Sequence, residues 1–577
     1  MQALILAAGK GSRLQYLSKD CPKCLLPVAH KPILARTIDN LQQLGVDKFF
    51  ISVNYQADSI ISFCKEKYSN LNITFIDERK CSVFERNNIY SLDFALTYIN
   101  LSEALILVEG DIIFNSSVLK NLVLGSNSYA VLSTGAPHLE GSGILVEDDK
   151  CTKIVKYVQK ENIYKTVNIY YFRPNYLKKL PKLIKAFIKA HDNNYNFYYE
   201  LALNWLKLTP YIIKPTDWYE VDMPADYYAA NIIYSSGEEK YNLLCNRYGG
   251  HWRFPGLVDC CYLANPFFKP EKLISLIDEQ LATLIASYPA GETECRLNAA
   301  NLFNVSDYSQ ILVGNGATEL INIIGTYFKD KKAYISLPAF NEYLEAFNVA
   351  YTHEVEPADI FILVNPNNPT GLYTSPEYVS ALIDRYPNKL FIIDESFNDF
   401  VTEKIRKSFI GDTRKNIVVI KSLGKSYGVN GLKLGVLYSA DTELINDLRK
   451  LIPSWNINSI AQEFLAQIKY YDADYVEACE NLIAERDRVI ELLKILPDII
   501  VYESQTDFLT IQLLGIDARK FCIDMLDKHN IYIKCLSGRA GLENNNCIRV
   551  SLNTPEINNY VIKCFKEYFY NMLNYNG

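Results

Sequence analysis

The chain has 577 residues, 49% of them hydrophobic and 22% charged, with a formal net charge of −7. That length exceeds one ordinary core and predicts several domains with ample apolar material for buried sheets. The balance of 59 basic against 66 acidic side chains excludes nucleic acid or an anionic membrane surface as the main partner, but leaves room for a locally basic pocket that takes an anionic small molecule.

The apolar start Ala3–Ala8 runs straight into a Gly-rich turn without a basic leader, so it reads as a strand and not as a secretory signal. No apolar run reaches the roughly 18 residues of a membrane span. Over 1–234, short apolar strands alternate with helical patterns: strands at Leu4–Ala7, Phe49–Val53, Ile73–Ile76 and Ala104–Val108, and a helix at Ile33–Leu44. Such alternation predicts a doubly wound parallel sheet. The polar run Ser235–Lys240 opens an expected linker over 235–245. A second α/β region is expected over 246–577, with strands at Ile311–Val313, Ala333–Ile335, Ile360–Val364, Phe391–Ile393 and Ile417–Ile420. The 14 cysteines include only a lone C-x-x-C, Cys21 and Cys24, so a reduced, cytoplasmic chain is expected over a zinc or disulfide framework.

Chemistry concentrates where strands end. Leu6-Ala7-Ala8-Gly9-Lys10-Gly11-Ser12-Arg13-Leu14 follows the first strand. Its small residues let successive backbone N–H groups approach a triphosphate, while Arg13 and Lys23 add fixed positive charge. Together with Asn87-Asn88-Ile89-Tyr90-Ser91, Glu109-Gly110-Asp111 and Trp218-Tyr219-Glu220-Val221-Asp222, this resembles the nucleotidyltransferases that activate sugar phosphates, and phosphocholine cytidylyltransferase in particular. The resemblance implies a Rossmann-like domain that binds CTP or another NTP. Leu6, Ala8, Gly9, Gly11, Arg13, Lys23, Asn87, Asn88 and Asp111 would line the nucleotide site. Asp111 and Asp222 would hold Mg²⁺, Lys23 and Arg13 would be catalytic, and Glu200 would touch the substrate.

In the second half, Gly314-Asn315-Gly316-Ala317-Thr318, Asn365-Pro366-Asn367-Asn368-Pro369, Asp394-Glu395-Ser396-Phe397, Ser422-Leu423-Gly424-Lys425 and Ile548-Arg549-Val550 follow one another. This series is similar to the class I/II, fold-type I pyridoxal-phosphate (PLP) enzymes. Within them it looks most like threonine-phosphate decarboxylase, with histidinol-phosphate aminotransferase next. The resemblance implies that Lys425 carries the cofactor and that Asp394 holds its pyridine nitrogen. Asn368 would bond the phenolic oxygen and Tyr343 would stack on the ring. Gly316, Ala317, Thr318, Ser422 and Lys433 would hold the phosphate, with Tyr288 reaching it from the other subunit of a homodimer. Phe397 stands beside the ring where many relatives carry Tyr, and Gly424 where Ser or Thr is common. Arg549 would grip the substrate carboxylate, and Lys534 and Arg539 a substrate phosphate.

Joined by chemistry, the two halves read as a bifunctional enzyme. A phosphorylated amino acid, most simply L-serine phosphate, loses CO₂, and the amino-alcohol phosphate formed is then activated with CTP. Transamination of a phosphorylated or phosphonate substrate is the main alternative, because lysine, aspartate and arginine serve both reactions. A non-catalytic binding or regulatory half is the second.

Overall fold

The computed structural model describes residues 1–80, 87–135, 141–156, 160–191, 198–347, 349, 358–542 and 546–575. It divides into two compact units, Met1–Leu257 and Val258–Gly577. The first unit extends beyond the polar segment read as a linker. Residues 237–245 form the helix Gly237–Cys245, which buries Tyr241 and Leu244; apolar residues at i and i+3 give the segment a face to pack.

In the first unit the strands Leu105–Glu109, Gln2–Leu6, Lys48–Val53 and Asn72–Asp77 lie side by side and parallel. Both faces are covered, so the strands read as continuous apolar runs. The sheet is mixed and not purely parallel. Ile163–Phe172 pairs antiparallel with Leu105–Glu109, and Ser142–Glu147, Lys150–Lys156, Tyr129–Ser133 and Thr209–Ile213 extend it beyond. A short ribbon, Ile112–Phe114 with Trp218–Glu220, brings the segment around residue 220 next to the end of Leu105–Glu109.

The second unit holds a six-stranded sheet in the order Ile311–Asn315, Leu434–Tyr438, Ile417–Ser422, Leu390–Asp394, Ile360–Val364, Ala333–Ile335. Leu434–Tyr438 is antiparallel to both neighbours and the others are parallel. A smaller sheet packs Val258–Cys260, Ile531–Cys535, Cys547–Ser551, Phe508–Leu513 and Ile499–Val501 in that order. Ligands of such α/β sheets bind beyond the carboxyl ends of parallel strands, where Asp394 ends its strand and Asn368 and Lys425 follow theirs. Among the described residues, no helix is long and apolar enough to cross a membrane.

Candidate active sites

The first site is a cavity of about 540 Å³ lined by the Leu6–Arg13 turn, Lys23, Asn87, Asn88, Glu109 and Asp111, with Asp222. The turn fits because its neighbours are small. A Cβ on Gly110 would come within 2.9 Å of the Leu6 carbonyl oxygen, and Gly11 sits at φ +61, a left-handed conformation that glycine adopts without strain. Lys23 Nζ reaches Asp111 Oδ2 at 2.6 Å and Asp222 Oδ1 at 2.7 Å, and Arg13 Nη2 reaches Asp222 Oδ2 at 2.9 Å. The four residues singled out for charge are thus linked in one chain of ion pairs, although Lys23 and Asp222 are 199 positions apart. Burial opposes the Lys23 charge, but Asp111 and Asp222 outweigh it and raise its pKa. Burial raises the Asp111 carboxyl against the pull of Lys23.

Reading from sequence missed Glu220. It lies two residues before Asp222 at the end of the short ribbon, and it is buried beside Lys165 at 3.4 Å. Ligand oxygens of Asp111, Glu220 and Asp222 lie within 4.8 Å of one another, and Asp111 Oδ1 is buried without a hydrogen-bond partner. Three carboxylates with a free oxygen among them fit a hard divalent cation. Deeper in, Glu109 accepts from Asn88 Nδ2 at 3.0 Å and Asn168 Nδ2 at 3.4 Å, and Asn88 Oδ1 accepts from the Tyr199 N–H at 3.1 Å. Burial, then Glu200, holds Glu109 well above the ordinary carboxylate range. Burial brings Glu200 to about 7, so Glu200 belongs to a buried acidic group behind Asn88 and not to an exposed helix face.

In the second unit Asp394 ends its strand, buried, and accepts from the Ser396 N–H and the Tyr343 hydroxyl, both at 2.9 Å. Tyr343, expected to stack on a ring, is fully buried and donates its hydroxyl hydrogen bond to Oδ2 of the carboxylate expected to face a ring nitrogen. A buried carboxylate needs such a donor. Burial raises Asp394, with Ser396 and Tyr343 acting against it. Lys425 lies in the short helix Leu423–Ser426, and burial lowers its pKa. Its amine donates to Asn430 Oδ1 at 3.4 Å, while Asn430 Nδ2 donates to the Leu263 carbonyl at 2.8 Å. A Cβ on Gly424 would extend toward that Asn430 oxygen, 2.8 Å away. Asn430 thus fills the space that a larger residue at position 424 would take.

The helix Ala317–Tyr327 begins at Gly316, whose φ is +78. A Cβ on Gly316 would touch Lys433 Cε at 3.3 Å, and one on Gly435 would come 2.5 Å from the Ala317 nitrogen. Glycines therefore let the lysine and the neighbouring strand close on a helix N-terminus, a cradle for a phosphate. Ser422 ends the adjacent strand, its N–H donating to Ser396 Oγ at 2.9 Å. Phe397 is buried, edge-on to Phe508. Arg549 Nη1 donates to Asn368 Oδ1 at 2.8 Å and Nη2 to the Cys261 carbonyl at 2.9 Å, leaving Nε buried without a partner. Lys534 sits directly opposite Arg549 in the strand pairing, on the same face of the small sheet. Arg539 instead donates to the Ala339 carbonyl and so anchors the segment leading to Tyr343. Tyr288 is 82% exposed and lies on Trp455 with ring centroids 5.0 Å apart. Asp507, absent from the sequence reading, is fully buried with neither oxygen bonded.

A lysine after one strand, an acid ending the next and a helix N-terminus beside them define a PLP-enzyme fold, here preceded by a nucleotidyltransferase fold. Residues 344–565 match the family described as aminotransferase class I and II, and residues 3–141 match the MobA-like NTP transferase domain. The chain belongs to the class I and II aminotransferases through its second half and carries an N-terminal MobA-like NTP transferase domain. It is 28% identical to CMP-5'-(3-aminopropyl)phosphonate synthase of Streptomyces rubellomurinus over 98% of this chain and 95% of that protein. Histidinol-phosphate aminotransferase of Flavobacterium johnsoniae is 30% identical, over 46% of this chain and 80% of that protein. L-serine phosphate decarboxylase of Sulfurospirillum multivorans is 29% identical, over 54% and 89%. Among solved structures, L-threonine-O-3-phosphate decarboxylase of Porphyromonas gingivalis superposes with a TM-score of 0.50 at 25% identity, covering 54% of this chain and 99% of that one. The protein is a bifunctional enzyme that pairs a nucleotidyltransferase with a PLP-dependent enzyme.

Proposed function

We propose that the second unit, Val258–Gly577, decarboxylates an amino acid bearing a phosphate or phosphonate, most simply L-serine phosphate, and that the first unit, Met1–Leu257, transfers CMP from CTP to the amine product. The observation that carries this reading is that one chain holds both charge constellations complete: Lys23 between Asp111 and Asp222, and Lys425 with Asp394, Asn368 and Arg549. The near full-length similarity to a CMP-phosphonate synthase supports the pairing.

In the second unit the helix start at Gly316, Ala317 and Thr318, with Lys433 and Ser422, would hold the cofactor phosphate. Asp394 would keep the ring nitrogen protonated, and Asn368 would meet the phenolic oxygen. Bound there, PLP supplies an electron sink for bonds broken at Cα. Lys425, its pKa lowered by burial, would deliver a proton to Cα in place of the departing carboxylate. Arg549 fixes the substrate carboxylate through its planar fork, and Lys534, beside it, offers charge to the substrate phosphate. The exposed Tyr288 fits a role across a dimer interface. In the first unit Asp111, Glu220 and Asp222 would hold Mg²⁺, which would free Lys23 and Arg13 for the phosphates. Cation and ammonium together offset the repulsion between two anions and the charge developing at the α-phosphorus.

The phosphate cradle yields a direct check. Lys433→Ala should loosen PLP by about 1.5–3 kcal/mol, the usual worth of a hydrogen bond to a charged group, read by fluorescence titration of the cofactor. Unchanged affinity would remove Lys433 from the cradle. The reaction type is tested by supplying serine phosphate with and without a keto acid. Release of CO₂ independent of the keto acid supports decarboxylation; amine transfer to the keto acid without CO₂ rejects it.

A further inference from the structure

Asp507 immediately precedes the strand Phe508–Leu513, which pairs with the strand that carries Arg549. Its own carbonyl accepts the Leu552 N–H at 2.8 Å, and the neighbouring Phe508 ring lies 5.3 Å beneath the Arg549 guanidinium. The side chain is fully buried, yet neither carboxylate oxygen has a hydrogen-bond partner, and Arg549 Nε in the same region has none either. Lys425 and Arg549 are the two cations within its electrostatic reach. A buried acid with both oxygens unbonded is costly unless something transient completes it.

Resting on the decarboxylase reading above, we propose that Asp507 supplies the proton consumed in decarboxylation and then replaces the departed carboxylate as counter-ion to Arg549. The bond from Cα to the carboxylate breaks, CO₂ leaves neutral, and the electron pair stays with the substrate. One proton must then be added at Cα, and it passes from Asp507 through the Lys425 amine. The negative charge that arrived on the substrate carboxylate ends on Asp507, so the total charge of the buried site is the same before and after. Without such a group, loss of CO₂ would strand Arg549 as a buried unpaired cation, an expensive outcome. Transamination keeps the substrate carboxylate in place and needs no replacement. Burial also brings the Asp507 carboxyl to about 7 against the pull of Lys425 and Arg549, so it can hold a proton while a carboxylate occupies the clamp and release it afterwards.

The test uses two ligands that lack an amine and cannot react, 3-phosphoglycerate and 2-hydroxyethyl phosphate, which differ only in the carboxylate. Their dissociation constants are measured by calorimetry on the PLP-loaded protein. Asp507→Asn cannot ionise, so it should shift the ratio of the two constants by about tenfold or more in favour of the carboxylate ligand, since only that ligand still neutralises Arg549. Asp507→Glu, which restores the acid, should leave the ratio near that of the wild type. If Asp507→Asn weakens both ligands equally, or leaves the ratio unchanged, the residue is only structural and the proposal falls. If neither ligand binds the wild-type protein, the reading of Arg549 and Lys534 as a substrate site fails with it.

Discussion

Lys425→Ala will leave the loaded protein without the visible band that a lysine-bound cofactor gives, and its release of CO₂ from serine phosphate will fall by about 10²–10⁴-fold, the scale of a lost proton-transfer group. Among the described residues, the lysines that flank it in the chain are already engaged. Lys433 is committed to the Gly316 turn, and Lys421, near the end of the strand Ile417–Ser422, is paired with Asp399 at 2.8 Å. The fold should survive, because the amine makes one long hydrogen bond to Asn430 and Asn430 keeps its tie to Leu263. CMP transfer from CTP to ethanolamine phosphate should be untouched, which separates lost chemistry from a misfolded chain. A band that persists in this variant would move the cofactor to another lysine.

Asp111→Asn is the matching variant in the first unit. The amide keeps the shape but removes one of three carboxylates and the shorter partner of Lys23, at 2.6 Å. With a metal ligand lost and charge at the α-phosphorus less well offset, CMP transfer should fall by about 10³-fold, measured as pyrophosphate release at saturating Mg²⁺. Release of CO₂ by the other half should stay as in the wild type. Full CMP transfer by this variant would take Asp111, and the three-carboxylate metal site with it, out of the mechanism.

Both constellations were legible because their residues lie in short contiguous runs where apolar strands stop, as with Asp394-Glu395-Ser396-Phe397 and Gly9-Lys10-Gly11. A strand end places its next few residues at one rim of the sheet, so sequence order becomes spatial order. What escaped was set by pairing between distant segments. Asp507 sits alone before a strand, among Ser504, Gln505 and Thr506, and nothing local marks it as buried within the electrostatic reach of Lys425. Glu220 stood inside a recognised run, but only the ribbon with Ile112–Phe114 brings it to Asp111. The antiparallel extension of the first sheet was hidden because Ile163–Phe172 is buried on both faces from Lys165 onward and shows no alternation to read. The segment 235–245 looked like a linker from its polar opening, but Tyr241 and Leu244 fold it onto the first unit.

The most direct measurement gives the intact protein CTP, Mg²⁺, PLP and serine phosphate together and follows the nucleotide products by mass spectrometry while trapping CO₂. CDP-ethanolamine should appear with an equal amount of CO₂ and without any keto acid. A CMP-linked product that retains the carboxylate, or consumption of serine phosphate only when a keto acid is present, would contradict it.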